Sequence, residues 1–122
     1  MEVGIDILDI DRMNDLCNNE SFLNKYFADN EIEYIKTCSQ LQKPKTLAGY
    51  YSIKEAFLKA IGLGIGRGID LKDISIWYND MGRPHIELKP SAKEIFNGLG
   101  YNNITINVTD SDTVAVAVCI VY

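Results

Sequence analysis

The eight residues VAVAVCIV, positions 114–121, are apolar at every position. A strand with one solvated face alternates apolar and polar side chains, whereas a strand that is apolar throughout has both faces covered. In a chain of 122 residues there is room for one compact domain with a single core. The chain's own helices supply one cover. A neighbouring subunit is the natural source of the other, and a second layer of the same chain is the alternative.

"VGIDILDI" near the start also reads as a buried strand, with Val3, Ile5 and Ile7 on one face and Asp6 on the other. Short helices are expected over "DRMNDLCNN", over "SFLNKYF" with Ser21 as its cap, and over "DNEIEYIKTC" opened by Asp29. Pro44 interrupts the pattern. The longest helix is then expected from Thr46 to Ile61, with Ile53, Phe57 and Ile61 toward the core. It runs into "GLGIGRG", a turn with glycines at 62, 64, 66 and 68. "DISIWY" and "RPHIEL" form a hairpin about "NDMG". "SAKEIFNGLG" reads as a helix capped by Ser91, and "ITINVT" with "TVAVAVCIVY" as a second hairpin. No repeat, linker or low-complexity segment divides the chain, so residues 1–122 are read as one domain.

Charge is unevenly spread. Residues 1–35 carry nine acidic and two basic residues, residues 36–93 ten basic and five acidic, and residues 94–122 three acidic. A basic middle between acidic ends points to a local anion site, not to a nucleic-acid surface. No apolar run approaches the roughly 20 residues of a membrane span. The first residues carry no basic leader, and the three cysteines, Cys17, Cys38 and Cys119, lack metal-ligand spacing. A cytoplasmic protein with reduced thiols is expected.

The chemistry concentrates in two places. On the long helix Tyr51, Glu55 and Lys59 recur every four residues and share a face just before the glycines. A surface ion pair is one reading. The other is an anion site, with Lys54 and Lys59 supplying charge and the glycines letting backbone amides approach a phosphate. No Walker motif accompanies them. Asp6, in mid-strand, is the second place. A carboxylate there is paired, metal-bound or on an open rim. Together Asp6 and Glu55 would offer two hard oxygen ligands, which suits Mg²⁺ with substrate phosphate and water completing its shell.

"GIDILDIDRM" followed by "KEAFLKAIGLGIGRG" resembles the holo-acyl-carrier-protein synthases, the small trimeric class of 4′-phosphopantetheinyl transferases. Gly4, Asp6 and Arg12 fit that family's first motif. Lys54, Glu55, Ala56, Phe57, Lys59, Ala60, Gly62 and Gly64 fit its second, and Gly82, Arg83 and Pro84 its hairpin. The resemblance spans essentially the whole chain. It implies an α+β fold, an antiparallel sheet packed with one long helix and several short helices, assembled as a homotrimer with active sites between subunits. It implies Mg²⁺-dependent transfer of phosphopantetheine from coenzyme A to a serine of apo-acyl carrier protein, with adenosine 3′,5′-bisphosphate leaving. Asp6 and Glu55 would bind the metal and Lys59 the phosphate, so that Asp6, Glu55 and Lys59 form the catalytic set. Gly62, Gly64, Pro84 and Asp110 would join Lys59 around coenzyme A. Arg12 and the first helix would dock the carrier protein.

The chain departs from the family pattern at three points. Tyr50 stands where the family usually has arginine, and Asp110 where it usually has histidine. Both positions lie, by the resemblance, near the phosphates of coenzyme A, so a weak hold on the 3′-phosphate is expected. The first helical region offers only Arg12 and Lys25 for docking. A catalytically weak homologue that binds coenzyme A or a nucleotide is the alternative function. His85 is assigned a surface position without a catalytic role, and Trp77 and the seven tyrosines are assigned to core and interface.

Overall fold

A computed structural model describes residues 1–65 and 67–122. Strand β1 (Glu2–Asp9) leads through a 3-10 turn (Ile10–Met13) to helices α1 (Glu20–Tyr26), α2 (Asp29–Thr37) and α3 (Lys43–Ala60). A second 3-10 turn (Leu71–Asp73) precedes the hairpin β2 (Ile74–Tyr78) and β3 (Pro84–Leu88). Helix α4 (Pro90–Gly98) and the hairpin β4 (Ile104–Asp110) and β5 (Val114–Val121) complete the chain. There are two antiparallel sheets, β1-β5-β4 and β2-β3. Among the described residues no helix is long and apolar enough to cross a membrane.

The apolar strand β5 is the centre of the three-stranded sheet. Its Ala115, Ala117, Cys119 and Val121 are fully buried, on the side where α3 packs. Ile53 and Phe57 of α3 are fully buried and Ile61 nearly so, as the helical spacing predicts.

Helix α3 starts at Lys43, three residues before the expected start at Thr46. Pro44 falls in its first turn, where its missing N–H would have had no helical partner and its fixed φ suits the helix. Two expected caps are not caps. Asn19, not Ser21, accepts the Phe22 amide at 3.0 Å to open α1, and α4 begins at Pro90 with Lys89 before it. "DRMNDLCNN" forms only the short 3-10 turn. The last turn of α3 closes on Gly62, whose φ of +76° is left-handed. The Leu63 amide bonds the Leu58 carbonyl at 3.0 Å and the Gly62 amide that of Lys59 at 3.2 Å, the paired bonds of a Schellman stop. Of the expected glycine turn, Gly66 lies outside the described residues.

The reading of β1 as a strand buried by its apolar face needs correction. Val3, Ile5 and Ile7 are 58%, 62% and 66% exposed, and the inward face is Gly4, Asp6 and Leu8. The cause is a backbone contact. A Cβ on Gly4 would sit 1.9 Å from the Ala56 carbonyl oxygen and 2.6 Å from the Ala60 amide. Only a residue without a side chain admits the helix so close. The displaced apolar face continues across the sheet, where Ile5 pairs with Val118 and Ile7 with Val116. Val114, Val116, Val118 and Ile120 are only half-buried on that side.

Candidate active site

The contact at Gly4 sets Asp6, two residues along β1, beside the C-terminal half of α3. Lys59 Nζ donates to Asp6 Oδ1 at 3.0 Å and to the Ile5 carbonyl at 3.2 Å. The lysine head remains open to solvent, while the Asp6 side chain is only 13% exposed. Glu55 lies one turn before Lys59, and its Oε1 is buried with no hydrogen-bond partner. Burial first, and then the nearby Asp6 carboxylate, raises the Glu55 pKa above the ordinary range. Lys59 and the Tyr51 hydroxyl oppose that rise. Two carboxylates, one of them with a buried and unpartnered oxygen, share this corner with Lys59. Such a corner gains by taking up a cation, and its all-oxygen donor set suits a hard one. Among the described residues no group of three or more His, Cys, Asp or Glu gathers to hold a metal. A cation here would therefore be left with positions for water and phosphate.

Lys54 does not belong to this corner, contrary to the expectation that it adds charge near the glycines. Its side chain is fully buried and points the other way, to Glu31 Oε1 at 2.6 Å. It also donates to the carbonyls of Tyr26 at 3.0 Å and Leu71 at 2.9 Å, and sits 4.7 Å from the centre of the Phe27 ring. Glu31 in turn accepts the amides of Ala28 at 2.7 Å and Ile76 at 3.0 Å. One buried ion pair thereby ties α1, α2, α3 and β2 together. Burial pulls Lys54 down to about 8 and pushes Glu31 up. The loss of water outweighs the attraction for both partners.

Asp110 lies at the other end of α3. Lys45 approaches it at 3.7 Å, and both line an open cleft of about 530 Å³ with Tyr34, Tyr78, Asn79 and Gly82. Tyr50 is beneath this cleft, 2% exposed, its ring 6.0 Å from that of Tyr78. Pro84 opens β3 opposite Tyr78. Lys45 precedes Glu55 by ten residues, or about 15 Å of helix. The structure thus brings together Asp6, Glu55 and Lys59, with Gly62 and Gly64 just beyond them. Pro84 and Asp110 stand apart, toward the opposite end of the helix. Sequence reasoning missed Lys45 as the partner of Asp110; the only signal was the pair of lysines flanking Pro44. His85 stacks on Trp77 at 4.3 Å on the β2-β3 hairpin, and its Nε2 lies 3.4 Å from the side-chain nitrogen of Asn79, a lining residue of the Asp110 cleft.

The family model of the 4′-phosphopantetheinyl transferase superfamily matches residues 2–119, and the chain belongs to that superfamily. Within it, the chain is similar to the holo-[acyl-carrier-protein] synthases. That of Caldicellulosiruptor bescii is 36% identical over 118 residues, covering 97% of this chain and 94% of the relative. That of Syntrophus aciditrophicus is 39% identical over 120 residues, covering 96% and 91%. Among solved structures, the Helicobacter pylori holo-[acyl-carrier-protein] synthase in complex with coenzyme A superposes with a TM-score of 0.83 at 28% identity, covering 98% of this chain and 99% of that one. The Neisseria meningitidis synthase superposes at 0.89 with 21% identity over 99% and 97%, a likeness of fold.

Proposed function

We propose that this chain, as a single catalytic domain, transfers the 4′-phosphopantetheine group of coenzyme A to a serine of an apo-acyl carrier protein in the cytoplasm. The observation that carries the reading is the corner of Asp6, Glu55 and Lys59, with its buried and unpartnered Glu55 oxygen. The serine oxygen attacks the phosphorus next to pantetheine. The bond from that phosphorus to the bridging oxygen breaks, and adenosine 3′,5′-bisphosphate leaves with the electron pair. Asp6 and Glu55 would hold Mg²⁺, which when bound neutralises charge on the pyrophosphate. A carboxylate of this corner, or a water beside it, can accept the serine proton as the hydroxyl attacks. Lys59 has its ammonium open to solvent beside Asp6, and can follow a phosphate oxygen as charge builds on the leaving group.

Mass spectrometry of apo-acyl carrier protein incubated with coenzyme A and Mg²⁺ tests this reading directly. A gain of one phosphopantetheine is expected. It should vanish with excess chelator and return with Mn²⁺. Glu55→Gln should lower the rate at least 100-fold with little change in Tm, because an amide is a poor ligand for a hard cation. Full transfer in chelator would remove the metal from the reading.

The exposed face of Val3, Ile5 and Ile7 with Val116, Val118 and Ile120 suits burial against further copies, as in a homotrimer. Sedimentation at the mass of three chains is the expected result, and an active monomer would refute it. In such an assembly one donor molecule would lie between the Asp6–Glu55 corner of one copy and the Pro84 and Asp110 region of the next. Arg12, exposed after β1, and α1 would receive the carrier protein.

The Asp110–Lys45 pair gives a specific expectation for the donor. If this cleft takes the 3′-phosphate, the carboxylate repels it and engages Lys45, which lines the same cleft. The protein should then discriminate little between coenzyme A and dephospho-coenzyme A. Asp110→His should tighten coenzyme A selectively. An unchanged ratio of kcat/KM for the two donors would mean that Asp110 is not at the 3′-phosphate, leaving Arg67 or Arg83 as the cation to test.

A further inference from the structure

We propose that Asn79 is a positioning residue for the donor, holding the tip of the β2-β3 hairpin as a preformed wall of the Asp110 cleft. The inference rests on the reading of that cleft as a place for coenzyme A. Asn79 follows β2, and its backbone closes the hairpin. Its amide donates to the Arg83 carbonyl at 3.0 Å, and the Gly82 amide donates to the Asn79 carbonyl at 2.9 Å. Gly82 is left-handed, with a φ of +79°, as the last position of such a short hairpin loop favours. The side chain adds two bonds that the backbone cannot make. Its Oδ1 accepts the amide of Met81 at 3.0 Å and that of Arg83 at 2.9 Å. An asparagine that folds back on amides ahead of it in this way fixes the course of a turn.

Core packing does not fix this tip. Asp80, Met81, Gly82 and Arg83 are all exposed, Met81 at 91%. Asn79 is half-buried at their base, and its side-chain nitrogen, which can only donate, lies 3.4 Å from His85 Nε2. The imidazole is in turn stacked on Trp77. The amide group is thereby held with its oxygen toward the turn. Asn79 and Gly82 line the cleft of about 530 Å³ that Lys45 and Asp110 share. Arg83, whose amide Asn79 holds, leads directly into Pro84 and β3. A wall made of exposed loop serves a ligand best when it is ordered beforehand, because ordering it on binding is subtracted from the affinity.

Asn79→Ala should raise KM for coenzyme A roughly 5- to 10-fold, the scale of ordering a short loop on binding, with kcat little changed. A wall that meets donor and transition state alike gives that split. A residue that merely supports the fold would lower kcat and Tm together. Backbone amide exchange followed by NMR on the full-length protein without donor is the second measurement. Met81 and Arg83 should lose protection in Asn79→Ala. Asn79→Asp should keep it, since one carboxylate oxygen accepts both amides and the other can meet a ring N–H of His85. Any rise in KM that the added charge brings should fade, relative to wild type, in high salt, whereas that of Asn79→Ala should persist. An unchanged KM in Asn79→Ala, or a loss confined to kcat, would overturn the proposal while transfer from coenzyme A by the wild type stands. So would loss of protection in Asn79→Asp. A wild type that transfers no phosphopantetheine from coenzyme A would overturn the reading of the protein and this proposal with it.

Discussion

Gly4→Ala should reduce transfer of phosphopantetheine at least 100-fold, even though Gly4 touches no substrate in the proposed site. The added Cβ would fall 1.9 Å from the Ala56 carbonyl oxygen and 2.6 Å from the Ala60 amide. Both are backbone atoms of a helix, which cannot step aside as a flexible side chain would. Strand β1 and helix α3 must therefore separate by an ångström or more. Asp6 rides on the strand, Glu55 and Lys59 on the helix. A misplacement of about 1 Å in a catalytic constellation costs on the order of 100-fold, and overpacking costs about 1–3 kcal/mol of stability besides. Gly98→Ala is the internal comparison. Its Cβ would meet nothing within 4 Å, so that variant should keep its activity. Transfer assays and thermal melts of the two variants decide the matter. Gly4→Ala with near wild-type activity would show that the strand–helix spacing does not set the site.

Lys54→Met should lower stability by about 3–5 kcal/mol, the cost of leaving a buried charge without its partner. Methionine fills much of the space but leaves Glu31 in the core, held only by the Ala28 and Ile76 amides. It also strips the Tyr26 and Leu71 carbonyls of their donor. The intact pair is not itself a large net stabiliser, since burial works against the charge of both residues. The double variant Glu31→Gln with Lys54→Met should therefore recover part of the loss, because no lone charge remains. Denaturant melts of the two single variants and the double give the coupling energy directly. A single Lys54→Met variant within about 1 kcal/mol of wild type would contradict the buried-charge argument.

Much of this molecule was legible beforehand because local rules and the demands of the core agree. The spacing of Ile53, Phe57 and Ile61 marked the buried face of α3, and the unbroken apolar run at 114–121 marked a strand, which lies at the centre of its sheet. The failures came where a contact distant in sequence decides. Alternation in "VGIDILDI" gives two faces but not which one meets a helix; the approach of Ala56 and Ala60 to Gly4 chose the face that carries Asp6. Lys54 and Lys59 stand about 140° apart on a helical wheel, but the wheel does not say which of them finds a buried partner. Only the placement of Glu31 and of the Tyr26 and Leu71 carbonyls makes the first a buried strut and leaves the second at the site. The carboxylate pair itself was readable because motif and chemistry converged on Asp6 and Glu55. The tie between Lys45 and Asp110 was not, since it joins the start of a helix to the end of a strand 65 positions later.

The span of α3 has a genetic consequence. It carries Glu55 toward one end and Lys45, with Asp110 beside it, toward the other. If each proposed catalytic centre draws these ends from two different copies, a defect at either end spoils a centre, but a mixed assembly redistributes the defects. An allele inactivated at Glu55 and an allele inactivated around Asp110 would each leave no working centre when expressed alone. Expressed together, they would rebuild some centres from two intact ends while concentrating both lesions in others. Interallelic complementation between such a pair, and its absence between two alleles damaged at the same end, would express in a living cell the geometry of one helix.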